Sequence, residues 1–311
     1  MPDLSILIPA RHEESLQRTI DDVFQHIEGD TEVLVALDNW ENPPEIKVPR
    51  GTIITTAHGQ RGATNRLAEL SRAKFVMKLD AHCSMSQGFD VKMMEDMEED
   101  VTMIPAVGNL HVYDWSCPQG HRRFQGKYEE CEQCGSTELT KIPVWKIISK
   151  PIRGSHEFDT ALHFQYATDE AEGLLTESMS IQGSCFMVSR EKYHELNICD
   201  ESLPSWGSQG TEVACKTWLS GGRVLSTKKA YYGHQFRETE GFPYPNPADE
   251  IFRARDTVQD LFYNNKWPLQ IHSLYWLLEK FNFPQDWKNE EMKEILDRVE
   301  QAHKEFINTH G

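Results

Sequence analysis

The first hundred residues alternate two hydrophobic periods. "LSILIPA" (4–10) and "TEVLVALD" (31–38) are short, nearly unbroken apolar runs, and "GTIITTA" (51–57) and "AKFVMKLD" (73–80) repeat the theme. Runs of this length, rich in leucine and β-branched residues, predict strands covered on both faces. Between the first two runs, Leu16, Ile20, Val23, Phe24 and Ile27 fall at helical spacing, and between the last two, Ala63, Leu67 and Leu70 do the same. Strands alternating with helices of this length predict βαβ units, and so an α/β, Rossmann-like fold with a mostly parallel sheet flanked by helices.

After residue 105 the pattern changes. Residues 116–136, "SCPQGHRRFQGKYEECEQCGS", are polar, rich in turn formers, and hold three of the seven cysteines. "SIQGSCFMVSREKYHEL" (180–196) returns to a strand and a helix, and "GTEVACKTWLSGG" (210–222) reads as a helix stopped by two glycines. From about 248 the pattern is helical, broken by prolines and asparagines. The expected organisation is therefore an α/β unit over 1–247, carrying a zinc-ribbon-like insertion over 112–142, and a helical C-terminal extension over 248–311.

With 311 residues, 39% of them hydrophobic and 26% charged, the chain has the composition of a soluble globular protein. No stretch approaches the roughly 20 apolar residues of a membrane span, and the N-terminus has an acid where a signal peptide carries positive charge. These features predict a cytoplasmic protein without a membrane partner, of a bacterium or a virus-infected cell. The formal charge of −17 opposes broad attraction to phosphate backbones, although a local basic patch is compatible with it. Seven cysteines without a secretory signal predict reduced thiols or metal ligands, and Cys83, Cys185, Cys199 and Cys215 read as small buried hydrophobes.

In open α/β sheets ligands collect at the carboxyl ends of strands, which points to Pro9–Glu14, Asp38 and Asp80–His82. Asp80 and His82 are two apart, so on an extended strand end they face the same way and make half of a site for Mn²⁺ or Mg²⁺. The alternative is a solvated acid and histidine in a loop.

Three later stretches bear on that choice. The chain has "LDAHC" at 79–83, "WGSQGTEVACKTWLSGG" at 206–222 and "GHQFR" at 233–237, followed by a Pro-Tyr loop. In this order they resemble the GT-A nucleotide-sugar glycosyltransferases, and among them the polypeptide N-acetylgalactosaminyltransferases. The resemblance covers roughly 4–110 and 178–265. It implies a UDP-sugar donor whose diphosphate is bridged by an ion on Asp80, His82 and His234, with Arg237 on the phosphates. It places Pro9, Arg11, Glu13 and Asp38 at the uridine, and Trp206 and Tyr244 at the donor. Arg61 and Arg66 fall where donor phosphates or ribose are contacted, or on a solvated basic face. Residues 237–247, "RETEGFPYPNP", read as a flap over the donor or as a surface linker.

The chain also departs from the pattern. Gln209 replaces the family's first acid, leaving Glu212 as a general base for an inverting reaction; the retaining reaction, which the signatures favour, needs none. No lectin domain and no anchor are legible. The acceptor is a hydroxyl on a macromolecule: a protein, a glycan or modified DNA.

Cys117-x3-His121 and Cys131-x2-Cys134 supply two ligands each, which suits a closed tetrahedral zinc site, and "HRRFQGK" beside them is a basic and aromatic cluster able to dock a polymer. Two rivals remain: a degenerate transferase fold that binds a nucleotide or polymer without turnover, and a nucleotidyltransferase, which lacks the expected glycine-rich loop after the first strand.

Overall fold

In a computed structural model, the structure describes residues 1–148, 153–167, 170–237, 241, 244 and 248–310. The four apolar runs are strands and both helical spacings are helices: β1 (Leu4–Ala10), α1 (Leu16–His26), β2 (Thr31–Asp38), β3 (Gly51–Thr56), α2 (Gly59–Leu70) and β4 (Phe75–Leu79). Short β5 (Cys83–Met85) and α3 (Phe89–Met94) lead into β6 (Val101–Ser116), onto which β7 (Arg122–Phe124) and β8 (Thr140–Ile147) fold back. Three short strands follow, β9 (His156–Phe158), β10 (Phe164–Tyr166) and β11 (Leu175–Glu177). Then come β12 (Cys185–Ser189), α4 (Arg190–Glu195), α5 (Gln209–Leu219) and β13 (Arg223–His234). The C-terminal region supplies α6 (Ala248–Tyr263), α7 (Leu274–Lys280) and α8 (Lys293–His310).

The main sheet runs β11-β13-β6-β12-β4-β1-β2-β3. Strands β4, β1, β2 and β3 are parallel, as is the β13–β6 pair, but β12 lies antiparallel between β4 and β6, and β11 and β5 are antiparallel to β13. The sheet is therefore mixed, which corrects the expectation of a mostly parallel one. A five-residue buried run such as "CFMVS" looks the same in either direction; direction is set by the connection, and a long irregular segment carries no period that reveals it.

Two apolar layers cover the sheet. On one face α1 and α3 bury Leu16, Ile20, Phe89 and Met93 against Ile6, Val35 and Met77. On the other, Ala63 and Leu67 of α2 and Trp218 of α5 share a core with Val258, Phe262, Leu277 and Trp287 of the C-terminal region. Among the described residues no helix is long and apolar enough to cross a membrane.

Strand β6 joins two structures. Its first half pairs with β13 as far as Asn109 opposite His234, and from Leu110 onward it pairs with β8 and then β7. The three-stranded arm thus leaves the body beside His234.

Candidate active site

The site begins at the tip of β4. The Asp80 N–H donates to the Ser184 carbonyl (2.8 Å), which anchors the residue after the strand. Antiparallel pairing of β5 with β13 sets Cys83 opposite His234, and so brings His82 to the same histidine. The two Nε2 atoms are 3.0 Å apart, and Asp80 Oδ2 lies 3.3 Å from His234 Nε2 and 4.0 Å from His82 Nε2.

Groups around these three decide what they present. His82 Nδ1 donates to Glu13 Oε2 (3.1 Å), a bond that leaves the Nε2 lone pair facing inward. Glu13 Oε1 accepts from Arg237 Nη2 (2.5 Å). Burial pushes the Glu13 carboxyl up, but bonding and charge from His82 and Arg237 pull it down to about 2. Burial likewise acts against the Asp80 anion, yet the Lys78 ammonium, with His234 and His82, holds that carboxyl well below the usual carboxylate range. Burial, only partly offset by Asp80, pushes His234 down to about 4, so its imidazole is neutral near pH 7. Two imidazole nitrogens and a carboxylate oxygen thus converge. An octahedral ion with bonds of about 2.1 Å places adjacent ligands about 3.0 Å apart, so the donor set fits Mn²⁺ or Mg²⁺.

Sequence reasoning missed Lys78. Its side chain is 1% exposed, pairs with Asp80 Oδ1 and donates to the Gly183 carbonyl (2.9 Å). The signal was present: a lysine inside the fully buried run "FVMKL" demands a counter-charge, and the nearest acid is Asp80.

The remaining expected donor residues divide into two groups. Pro9 pairs with Ala36 near the end of β1. Asp38 Oδ1 accepts from Thr56 Oγ1 (2.9 Å) and the N–H groups of His58 (2.9 Å) and Gly59 (3.1 Å), while Oδ2 pairs with Arg11. The Arg11 guanidinium lies 5.5 Å over the Tyr244 ring. Burial, then the charges of Asp80 and Glu13, push the Tyr244 hydroxyl up to about 12, which ties this ring to the same cleft. Of the expected flap, only Arg237, Gly241 and Tyr244 fall within the described residues.

Arg61, Arg66 and Glu212 are elsewhere. Arg61 is 1% exposed and Glu212 fully buried; they form an ion pair, and Lys216 adds a second cation at 2.6 Å. Arg61 also donates to the carbonyls of Pro204 (2.9 Å) and Gly207 (2.8 Å), which fixes the loop holding half-buried Trp206. The expected roles of Glu212 as a base and Arg61 as a donor contact thus fall on two groups held in a buried charge network. Its cause is invisible in sequence, because all eleven residues of α5 are buried, charged ones included. Arg66 is partly exposed and pairs with Glu69 (2.6 Å) and Glu201 (3.5 Å).

A second cluster sits at the end of the arm. Cys117 Sγ and Cys131 Sγ are each 3.5 Å from His121 Nδ1, and Cys134 Sγ is 3.7 Å from Cys117 Sγ. All seven cysteines are free of disulfides. Donation from the Gln133 N–H, with further bonds from Cys134 and His121, draws the Cys131 thiol down to about 6.

No family model matches the chain. It is similar to a putative polypeptide N-acetylgalactosaminyltransferase 13 of Drosophila melanogaster, 24% identical over 225 residues, 70% of this chain and 34% of the relative. It is also similar to polypeptide N-acetylgalactosaminyltransferase 14 of Homo sapiens, 20% identical over 266 residues, 79% of this chain and 43% of the relative. The chain thus spans less than half the length of these curated relatives. A solved structure of GalNAc-T7 with UDP, GalNAc and Mn²⁺ superposes with a TM-score of 0.62 at 16% identity, over 97% of this chain and 58% of that one. The chain has the GT-A glycosyltransferase fold. These relatives are animal proteins, which overturns the expectation of a cytoplasmic protein of a bacterium or an infected cell.

Proposed function

We propose that the chain is a metal-dependent glycosyltransferase that moves a sugar from a UDP-sugar to a hydroxyl group of a macromolecule. The observation that carries this reading is the convergence of Asp80, His82 and His234 at the strand ends of a GT-A sheet, with Oδ2 of the first and Nε2 of both histidines turned toward one another. These three residues would hold Mn²⁺ or Mg²⁺, which when bound neutralises the charge that develops on the departing diphosphate. Lys78 holds the outer oxygen of Asp80 so that Oδ2 faces the histidines, and Glu13 fixes the tautomer of His82. Arg237 presents a planar cation to the phosphates. Pro9, Arg11, Asp38 and Tyr244 shape the nucleoside end.

The retaining course fits best. Among the described residues, the carboxylates at the cleft already serve cations and N–H groups: Glu13 holds His82 and Arg237, Asp80 holds Lys78, and Asp38 holds Arg11. A hydroxyl of a polypeptide is the acceptor and an N-acetylhexosamine the sugar, readings supported by the names of the similar proteins. The catalytic unit spans 1–247, with 112–142 as a zinc-binding insertion and 248–310 as a helical extension.

Calorimetric titration of UDP with Mn²⁺ and with EDTA, repeated on His234→Ala, tests the donor site. Binding that needs the ion and fails in the variant is expected; metal-independent or absent binding refutes the assignment. UDP binding without transfer from any UDP-sugar would make the chain a binding module instead.

A further inference from the structure

The arm beyond Ser116 and Thr140 has almost no core. Phe124 in β7 is 44% exposed and Cys134 is exposed, and of residues 118–139 only Gln125 and Gly126 are buried. A segment this polar needs a cross-link to hold one shape. Its four soft ligands are gathered for one. Tetrahedral zinc with bonds of about 2.3 Å to sulfur and about 2.0–2.1 Å to nitrogen places S···S at about 3.8 Å and S···N at about 3.6 Å. The cluster shows 3.7 Å for the first and 3.5 Å twice for the second. Backbone turns preset it: Gly120 N–H donates to the Cys117 carbonyl (2.9 Å), and Gly135 N–H to the Cys131 carbonyl (2.7 Å).

From the cysteine loop the chain returns as β8, and β8 lies across the segments that carry the active-site ligands. Trp145, with φ of 61°, turns its indole to donate to Asp22 Oδ2 (2.8 Å). The same carboxylate accepts from Met85 N–H (2.7 Å) and Ser84 Oγ (2.8 Å), in the strand that follows His82. Arg18 lies 4.9 Å over the Trp145 ring. Ile147 packs so closely on Gly233 that a Cβ there would sit 2.7 Å from its Cγ1, and Gly233 immediately precedes His234. Ile148 N–H donates to the carbonyl of Asn109, the residue paired with His234 (2.9 Å).

We infer that zinc bound by Cys117, His121, Cys131 and Cys134 holds the arm in shape, and that the arm, through Trp145 and Ile147, clamps the backbone that presents His82 and His234 to the catalytic ion. The clamp half of this inference rests on the proposed donor site; the zinc half stands apart from it. Two metals then sort by chemistry within one chain, a closed sulfur-rich site for zinc and an open nitrogen and oxygen site for Mn²⁺.

The test measures bound zinc by mass spectrometry of the purified chain, and Mn²⁺ affinity by calorimetry without nucleotide. One zinc per chain is expected, and none in Cys131→Ser with Cys134→Ser. Loss of an outer support costs a metal site about tenfold or more in affinity. Mn²⁺ affinity is therefore expected to fall about tenfold in the double variant, and about as much in Trp145→Phe, which removes the indole N–H but leaves an aromatic side chain and all four zinc ligands in place. A wild-type chain without zinc overturns the zinc site. Trp145→Phe with Mn²⁺ affinity within twofold of wild type overturns the clamp. His234→Ala separates the two readings: Mn²⁺ binding that survives it refutes the donor site while leaving the zinc result intact.

Discussion

The Asp80 cluster and the Cys131 cluster reach ligand geometry by opposite means. The first draws on residues up to 154 positions apart, aligned because β5 pairs with β13 and β4 lies beside β1 and β12. Its frame is a sheet with a core on both faces, so the ligands stay in place whatever occupies them. The second draws on two local turns with no core behind them, and its shape depends on what the sulfurs hold. The difference teaches that an open site for a reacting ligand needs a rigid frame, whereas a closed site supplies rigidity to a frame that lacks it.

The largest effect tests the rigid side. His234→Ala removes an imidazole whose Nδ1 has no partner, so stability is expected to change by no more than about 1 kcal/mol. Transfer is expected to fall about 10³-fold, equivalent to about 4 kcal/mol in the barrier. Thermal melting and UDP-sugar turnover on one preparation check both. A large drop in melting temperature would show that the frame depends on its ligands after all, and the contrast would fail.

Next comes Glu212, a buried acid that serves the frame. Glu212→Gln leaves the Arg61 charge uncompensated and Lys216 with only Asp200, 3.7 Å away, and breaking a buried pair of this kind costs about 3–5 kcal/mol. Urea unfolding should show that loss while turnover per folded molecule persists. A stable variant without turnover would make Glu212 the base and the reaction inverting.

How much of this was legible depended on the range of the interaction. The strands and helices of the first eighty residues showed in their periods, because each buries its apolar positions within a few residues. Asp80 and His82 showed because a strand end fixes their spacing, and His234 and Arg237 because they sit in one short motif. The direction of β12 did not show, nor did the inward turn of Arg61 and Glu212, since both follow from contacts more than a hundred residues away. Lys78 lay between: the buried run announced a charge, but only the fold shows that Gly183 shares it.

His156 gives a smaller effect and a control on pH. Both ring nitrogens are buried without partners, beside the rings of Phe164 and Tyr166, and burial, slightly opposed by Glu170, pushes it down to about 4. The folded value lies below the unfolded one near 6.5, so the unfolded chain takes up a proton first as pH falls. Stability is full above about pH 6.5 and is lost down to about pH 4, by at most about 3 kcal/mol. Denaturant titrations at pH 7.5, 6 and 5 should show this slope in wild type and a shallower one in His156→Phe. An unchanged slope would move the proton uptake to His234, and the frame would then be less independent of its ligands than the contrast requires.

The smallest effect sharpens where the arm meets the frame. Lys141 in β8 pairs with Glu14 at 3.0 Å, next to Glu13, so it offers a second route from arm to active site. The two side chains are 42% and 81% exposed, however, and exposed pairs contribute about 0–1 kcal/mol and weaken with salt. Trp145 instead donates to a buried carboxylate shared with β5. Lys141→Ala should therefore change stability by less than about 0.5 kcal/mol and leave Mn²⁺ affinity within about twofold of wild type, at low salt and high. A tenfold loss at low salt that disappears at high salt would move the contact between arm and frame from the Trp145 indole to the Glu13–Glu14 loop. The arm would then act on the site through charge, and the rigidity supplied by its metal would matter less than where it carries Lys141.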